Sequence, residues 1–187
     1  MSLVGLKDFK VLPPKGKEVE VKTPEDVKRN AILKGKSVLK RLPYGDEYIV
    51  IASDTAVFID NRFLGKPKNP EEAKRFLRTL SGRWHTVYTA TAVFHKKGHR
   101  LRRKIVLDRT RVLFKKLSDR EIDWYLKTGE PLDKAGAYGI QGYGALFIEK
   151  IVGDYFTVMG LSPNKLYKAL VELLGEKRAL ELFGKRD

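Results

Sequence analysis

Apolar residues recur along this chain at two spacings, and the switches between them mark the elements. In residues 23–38, Val27, Ala31 and Val38 share a helical face. Thr23-Pro24-Glu25-Asp26 opens that run with a capping hydroxyl, a proline at the first helical position and two acids in the first turn. Asn69-Pro70-Glu71-Glu72 repeats the device before Ala73, Phe76, Leu77 and Leu80, with a stop at Ser81-Gly82. Ser118-Asp119-Arg120-Glu121 has the form of a capping box and predicts a short helix ending at Gly129. Ser162-Pro163 opens the last long helix, whose Leu166, Leu170, Leu173 and Leu174 form a stripe ending at Gly175.

Strand-like runs lie between these helices. Residues 48–52 are apolar and β-branched, and residues 56–59 resume after a polar interruption at Ser53-Asp54-Thr55. Residues 86–94 and 104–114 predict neighbouring strands joined through Gly98. Residues 145–151 and 155–159, flanking Val152-Gly153-Asp154, predict a hairpin. Helices and hairpins interleave, which predicts an α/β chain with a mixed sheet and flanking helices. No repeat, low-complexity tract or linker divides residues 1–187, so a single domain is expected.

Composition narrows the function. The 187 residues include no cysteine, which excludes disulfides, thiolate zinc sites, iron–sulfur clusters and a cysteine nucleophile. Apolar runs fall far short of the ~20 residues that span a bilayer, and Met1-Ser2-Leu3-Val4-Gly5-Leu6 is too short for a signal peptide. The expectation is a cytoplasmic protein with no membrane partner. Net charge is +15, and residues 95–116 supply +9 of it, with ten Lys or Arg against Asp108 alone. Two readings compete there. The alternation in Arg109-Thr110-Arg111-Val112-Leu113-Phe114 suits a half-exposed basic strand, while the charge itself suits a polyanion-facing surface. Glutamine occurs once, at Gln141, and asparagine four times, a bias of proteins from hot habitats.

Three constellations could carry chemistry. Asp54, between two apolar stretches, is either a turn-forming aspartate or a buried carboxylate that needs a partner or a metal. Lys34 lies at the edge of the Val27–Ala31–Val38 stripe, so its ammonium either snorkels to water or points into a cleft. Lys66, in Leu64-Gly65-Lys66-Pro67, is either a loop charge or a phosphate ligand beside the Asn69 cap. The segment from Pro131 to Gly142 is the third, with five small residues from Ala135 to Gly142 that permit close backbone approach to something. Its Gln141 offers an amide donor and a carbonyl acceptor suited to a base edge. His85, His95 and His99 read as structural or surface residues, without a metal-ligand pattern.

Taken jointly, these segments resemble the Maf family of nucleoside triphosphate pyrophosphatases. The resemblance runs through Ile51-Ala52-Ser53-Asp54-Thr55, Leu64-Gly65-Lys66-Pro67, Leu80-Ser81-Gly82-Arg83-Trp84-His85-Thr86-Val87-Tyr88-Thr89 and Asp133-Lys134-Ala135-Gly136-Ala137-Tyr138-Gly139-Ile140-Gln141-Gly142. It closes with Gly153-Asp154-Tyr155-Phe156-Thr157-Val158-Met159-Gly160-Leu161. It implies a two-lobed fold of the Maf and inosine triphosphatase kind, with a nucleotide cleft floored by Asp54. It further implies hydrolysis of a nucleoside triphosphate to the monophosphate and pyrophosphate with a divalent cation, Mg²⁺ or Mn²⁺. By the same resemblance Asp54 is the general base and the best metal candidate, with Glu18 and Asp133 weaker ones. Lys34 and Lys66 supply positive charge to the phosphates, and Lys134 joins the substrate contacts. Thr55 and Gln141 resemble the branch acting on dTTP and UTP, and would contact the pyrimidine. A homodimer is also a family expectation.

The sequence departs from the family in three places. The family's opening strand and Ser-x-Ser-Pro-Arg-Arg phosphate loop have no counterpart, and residues 1–9 are expected to match the end of its first helix and the next strand. Gly160-Leu161-Ser162-Pro163 replaces the usual Gly-Leu-Pro-x, and Gly35 stands where alanine is common. Two alternatives remain beside the pyrimidine enzyme. One is a catalytically impaired module that binds nucleotide or nucleic acid. The other is a house-cleaning pyrophosphatase for deaminated purines.

Overall fold

The capped segments fold as their ends dictate. In a computed structural model, which describes residues 6–7 and 9–184, helix α1 spans Pro24–Leu39 and α2 Pro70–Leu80. The Thr23 N–H donates to the Asp26 carboxylate at 2.9 Å, and Asn69 accepts from the Glu72 N–H at 2.8 Å. Helix α3 covers Asp119–Lys127 behind the Ser118–Glu121 capping box. Helix α5 covers Pro163–Leu174 behind Ser162. A last turn, α6, spans Glu176–Glu181.

Five strands form one sheet: β1 (Glu47–Ile59), β2 (Arg62–Leu64), β3 (Trp84–Lys97), β4 (Arg100–Phe114) and β5 (Ile148–Val152), in the order β2-β1-β3-β4-β5. The α/β class with flanking helices is as expected. Every pairing among the described strands is antiparallel, however, where a mixed sheet was the expectation. Two-residue turns account for two of these pairings, β1–β2 and β3–β4. Asp60 and Asn61, at φ 49° and 59°, reverse β1 into β2, and Gly98 at φ 55° reverses β3 into β4.

One open alternative is decided and one expectation is corrected. Residues 53–55 are not a turn: β1 runs straight through them, with Ser53, Asp54 and Thr55 registered against Thr91, Ala90 and Thr89 of β3. Residues 155–159 are not the second arm of a hairpin but a short helix, α4 (Tyr155–Met159). Asp154 caps it by accepting from the Phe156 N–H at 2.9 Å, and Gly160 ends it at φ 103°. Those end signals outweigh the strand preference of Tyr, Phe, Thr and Val. Residues 1–5 and 8, most of the segment matched to the family's next strand, lie outside the described residues. Leu6 bridges Phe183 near the last helix.

Alternation along β1 divides the core. Ala56 and Phe58 face α1, packing with Val27, Ala31 and Phe94. The opposite face holds two apolar clusters, one built on α5 and the other on α2 and α3 with Val57, Val87 and Phe114. Between them runs a belt of threonines. Thr55 pairs with Thr89, and the Thr89 hydroxyl donates to the Thr157 carbonyl of α4 at 2.7 Å. Among the described residues, no helix is long and apolar enough to cross a membrane.

Candidate active site

A cleft of about 580 Å³ opens where the free edge of β1 meets this belt. Lys34, Asp54, Thr55, Lys66, Lys134 and Gln141 all line it. These six come from a helix, a strand and two loops, so only the folded chain brings them together.

Asp54 and Thr55 are neighbours on β1 and therefore point to opposite faces of the sheet. On the α1 side, Lys34 Nζ reaches Asp54 Oδ1 at 2.6 Å and Glu18 Oε1 at 3.4 Å. Lys34 thus points into the cleft rather than snorkelling. Its helix is held close to the sheet because Gly35 packs directly on the Phe94 ring: a Cβ there would stand 2.3 Å from Phe94 Cε2. This contact accounts for glycine where the family commonly has alanine. Burial pushes the Asp54 carboxyl above its ordinary value, with the Lys34 ammonium pulling the other way. Burial opposes charge on Lys34 as well, but Asp54 and Glu18 outweigh it and hold the lysine above its ordinary value.

On the other face, hydroxyl chemistry is directional. Thr89 spends its only proton on the Thr157 carbonyl, so in the 2.9 Å contact between hydroxyls Thr55 is the donor. What Thr55 presents to the cleft is therefore lone pairs.

Lys66 is exposed in the loop after β2, while Pro67 beside it is buried. This loop is tied to the glycine-rich segment by the Gly136 N–H donating to the Gly65 carbonyl at 3.0 Å. Gly136 sits at φ 68° against Val57, where a Cβ would fall 2.9 Å from Val57 Cγ2. Lys134 stands 3.5 Å from Asp133, and both line the cleft. Gln141 is exposed at the tip of the following loop.

Glu130, Tyr138 and Gly160 also line the cleft, and spacing alone did not single them out. Tyr138 is backed by His85, whose Nε2 lies 2.7 Å from the tyrosine hydroxyl inside the core. Burial holds that imidazole neutral, its pKa pushed down to about 4. Among the described residues no three His, Asp or Glu side chains are grouped to hold a metal by themselves.

The sheet, its flanking helices and this cleft define an α/β protein with a buried carboxylate set among lysines. Comparison with known proteins gives the family. The family model described as "Maf-like protein" matches residues 1–173. A dTTP/UTP pyrophosphatase of Aquifex aeolicus is 43% identical over 175 residues, covering 92% of this chain and 88% of the relative. The dTTP/UTP pyrophosphatase of Thermotoga maritima is 40% identical over 172 residues, covering 92% and 82%. That of Dictyoglomus thermophilum is 43% identical over 173 residues, covering 89% and 86%. The chain belongs to the Maf-like family.

Proposed function

We propose that this chain is a nucleoside triphosphate pyrophosphatase acting on dTTP and UTP. The observation that carries the reading is the convergence of Lys34, Asp54, Thr55, Lys66, Lys134 and Gln141 on one cleft. The names of the relatives support it.

In this reading water adds across the α–β phosphoanhydride, releasing the monophosphate and pyrophosphate. Asp54 takes the proton of the attacking water. Burial makes its carboxylate a stronger base than an exposed aspartate, and Lys34 keeps it ionised for the task. Lys34, Lys66 and Lys134 stabilise the charge spread over the phosphate oxygens.

The pyrimidine lies against Thr55 and Gln141. Uracil and thymine carry an N–H at ring position 3 between two carbonyls, where cytosine carries a lone pair. A Thr55 that offers only lone pairs accepts from that N–H and repels cytosine, while the Gln141 amide donates to a carbonyl.

A divalent cation, Mg²⁺ or Mn²⁺, belongs to the same proposal. Asp54 and Glu18 are hard oxygen donors flanking Lys34, and Mg²⁺ is commonly held by one or two carboxylates plus substrate phosphates. Bound there, the ion would neutralise phosphate charge. The chain works, by this proposal, in the cytoplasm and as a homodimer; sedimentation reads the latter.

The test is pyrophosphate release from a panel of ribo- and deoxyribonucleoside triphosphates with Mg²⁺ or Mn²⁺. Preferential turnover of dTTP and UTP is expected, and silence on the whole panel overturns the reading. A second reading draws on the exposed Arg100, Arg102 and Arg103 of β4: a polyanion-binding module. It predicts affinity that falls steeply with salt and is indifferent to Asp54→Asn.

A further inference from the structure

The glycine-rich loop approaches a partner that its sequence does not name. Glu130, just ahead of it, accepts from the Tyr143 N–H at 2.8 Å through Oε2 and from the Gly144 N–H at 3.1 Å through Oε1. Its Oε1 also accepts from the Tyr125 hydroxyl at 2.7 Å, and the Tyr125 oxygen in turn accepts from the Gly139 N–H at 3.2 Å. One carboxylate and one phenol therefore hold three backbone amides, on both sides of Gln141.

The glycines follow from this arrangement. A Cβ on Gly142 would stand 2.1 Å from Glu130 Oε2, and one on Gly144 would stand 2.7 Å from the Tyr125 oxygen. At Gly139 the distance to Glu130 Oε1 would be 3.1 Å. A side chain at Gly142 would displace the Glu130 carboxylate, one at Gly144 would meet the Gly139 carbonyl at 2.6 Å as well as the Tyr125 oxygen, and one at Gly139 would press on Glu130. Tyr125 is itself rigid, being fully buried and edge-on to Phe147.

We propose that Glu130 is a positioning residue for base recognition: with Tyr125 it presets the 139–144 loop so that Gln141 meets the pyrimidine at a fixed place. It acts through the loop and not on the reacting atoms. The base-recognition half of this proposal rests on the function proposed above; the clamp itself rests on geometry alone. A loop fixed before binding spends none of the binding free energy on ordering, and it rejects a base whose donors and acceptors are reversed.

The test compares wild type with Glu130→Gln and Tyr125→Phe. Glutamine keeps the size of Glu130, but its amide nitrogen cannot accept from a backbone N–H. Phenylalanine keeps the packing of Tyr125 and removes only its oxygen, so it serves if the first variant does not fold. Two readouts are taken. Hydrogen exchange of peptides spanning 139–144 should accelerate roughly tenfold or more, the size of a lost hydrogen bond to a charged group. The preference in kcat/KM for UTP over CTP should fall by a similar factor, carried mostly by KM.

Unchanged exchange in both variants overturns the clamp whatever the activity. Faster exchange with an unchanged UTP-to-CTP ratio overturns the recognition role and leaves a structural brace. A wild type inactive on every nucleotide overturns base recognition together with the function it rests on, while the exchange result still decides the clamp.

Discussion

The Lys34 ammonium lies 2.6 Å from the Asp54 carboxylate, joining the middle of α1 to the middle of β1 inside the cleft. A carboxylate at mid-strand would otherwise be a costly buried charge. Asp54→Asn preserves the shape and a hydrogen-bonding group but removes the proposed base. We expect kcat for dTTP to fall by at least ~10²-fold, with a melting temperature close to wild type. Near-normal turnover in this variant would show that another group takes the proton.

Removing the cation tests the same pair through pH. In the proposed mechanism Asp54 acts ionised, so the acid limb of kcat/KM should follow its pKa. Burial already raises that pKa, and Lys34 opposes the rise. In Lys34→Met the opposition is gone, and the limb is expected to move to higher pH. The rate is also expected to fall throughout, since the proposed phosphate ligand is lost. A limb that stays in place would mean that the carboxylate does not control it.

Gly35 and Phe94 make a prediction about stability. Alanine is the better helix former by ~1 kcal/mol in an open helix. Here its methyl would overlap the fully buried Phe94 ring, and overpacking of that kind costs ~1–3 kcal/mol. Gly35→Ala should therefore lower the urea midpoint, and Phe94→Leu in the same chain should recover part of the loss. A Gly35→Ala protein more stable than wild type would refute the contact.

His85 makes folding pH-sensitive. It is 3% exposed, its Nδ1 has no hydrogen-bond partner among the described residues, and burial pushes its folded pKa down to about 4 from an ordinary 6.5. The unfolded chain binds a proton as pH drops below about 6.5, while the folded imidazole stays neutral until about 4. Stability is thus lost as pH falls across that window, by up to roughly 3 kcal/mol from this residue. Urea titrations at several pH values should show a shallower decline in His85→Phe than in wild type. Parallel curves would assign the acid sensitivity to other groups.

The ends of the helices were legible because capping is local. Asn69, Ser118 and Ser162 accept from backbone N–H groups three residues on, and Asp26 reaches back to the Thr23 N–H, so their effect is visible in the string itself. The β3–β4 hairpin was legible for the same reason, through Gly98. Family likeness marked the site residues, and periodicity alone left Asp54 open between a turn and a buried carboxylate, and Lys34 between water and a cleft.

What the tertiary structure decided is everything that depends on a distant partner. Strand β1 continues through Asp54 because α1 supplies Lys34, twenty positions away in the chain, and because β3 pairs every residue of the interruption. Residues 155–159 have local end signals in Asp154 and Gly160, but their place against the sheet is fixed by Thr110 of β4, which bonds the Asp154 backbone, and by Thr89 of β3, which bonds the Thr157 carbonyl. The glycines of the 139–144 loop announced a close approach, but not that Glu130 and Tyr125 were what they approach. A residue type can declare what contacts it tolerates; which contact it makes is settled only when non-local packing brings the two groups within a few ångströms.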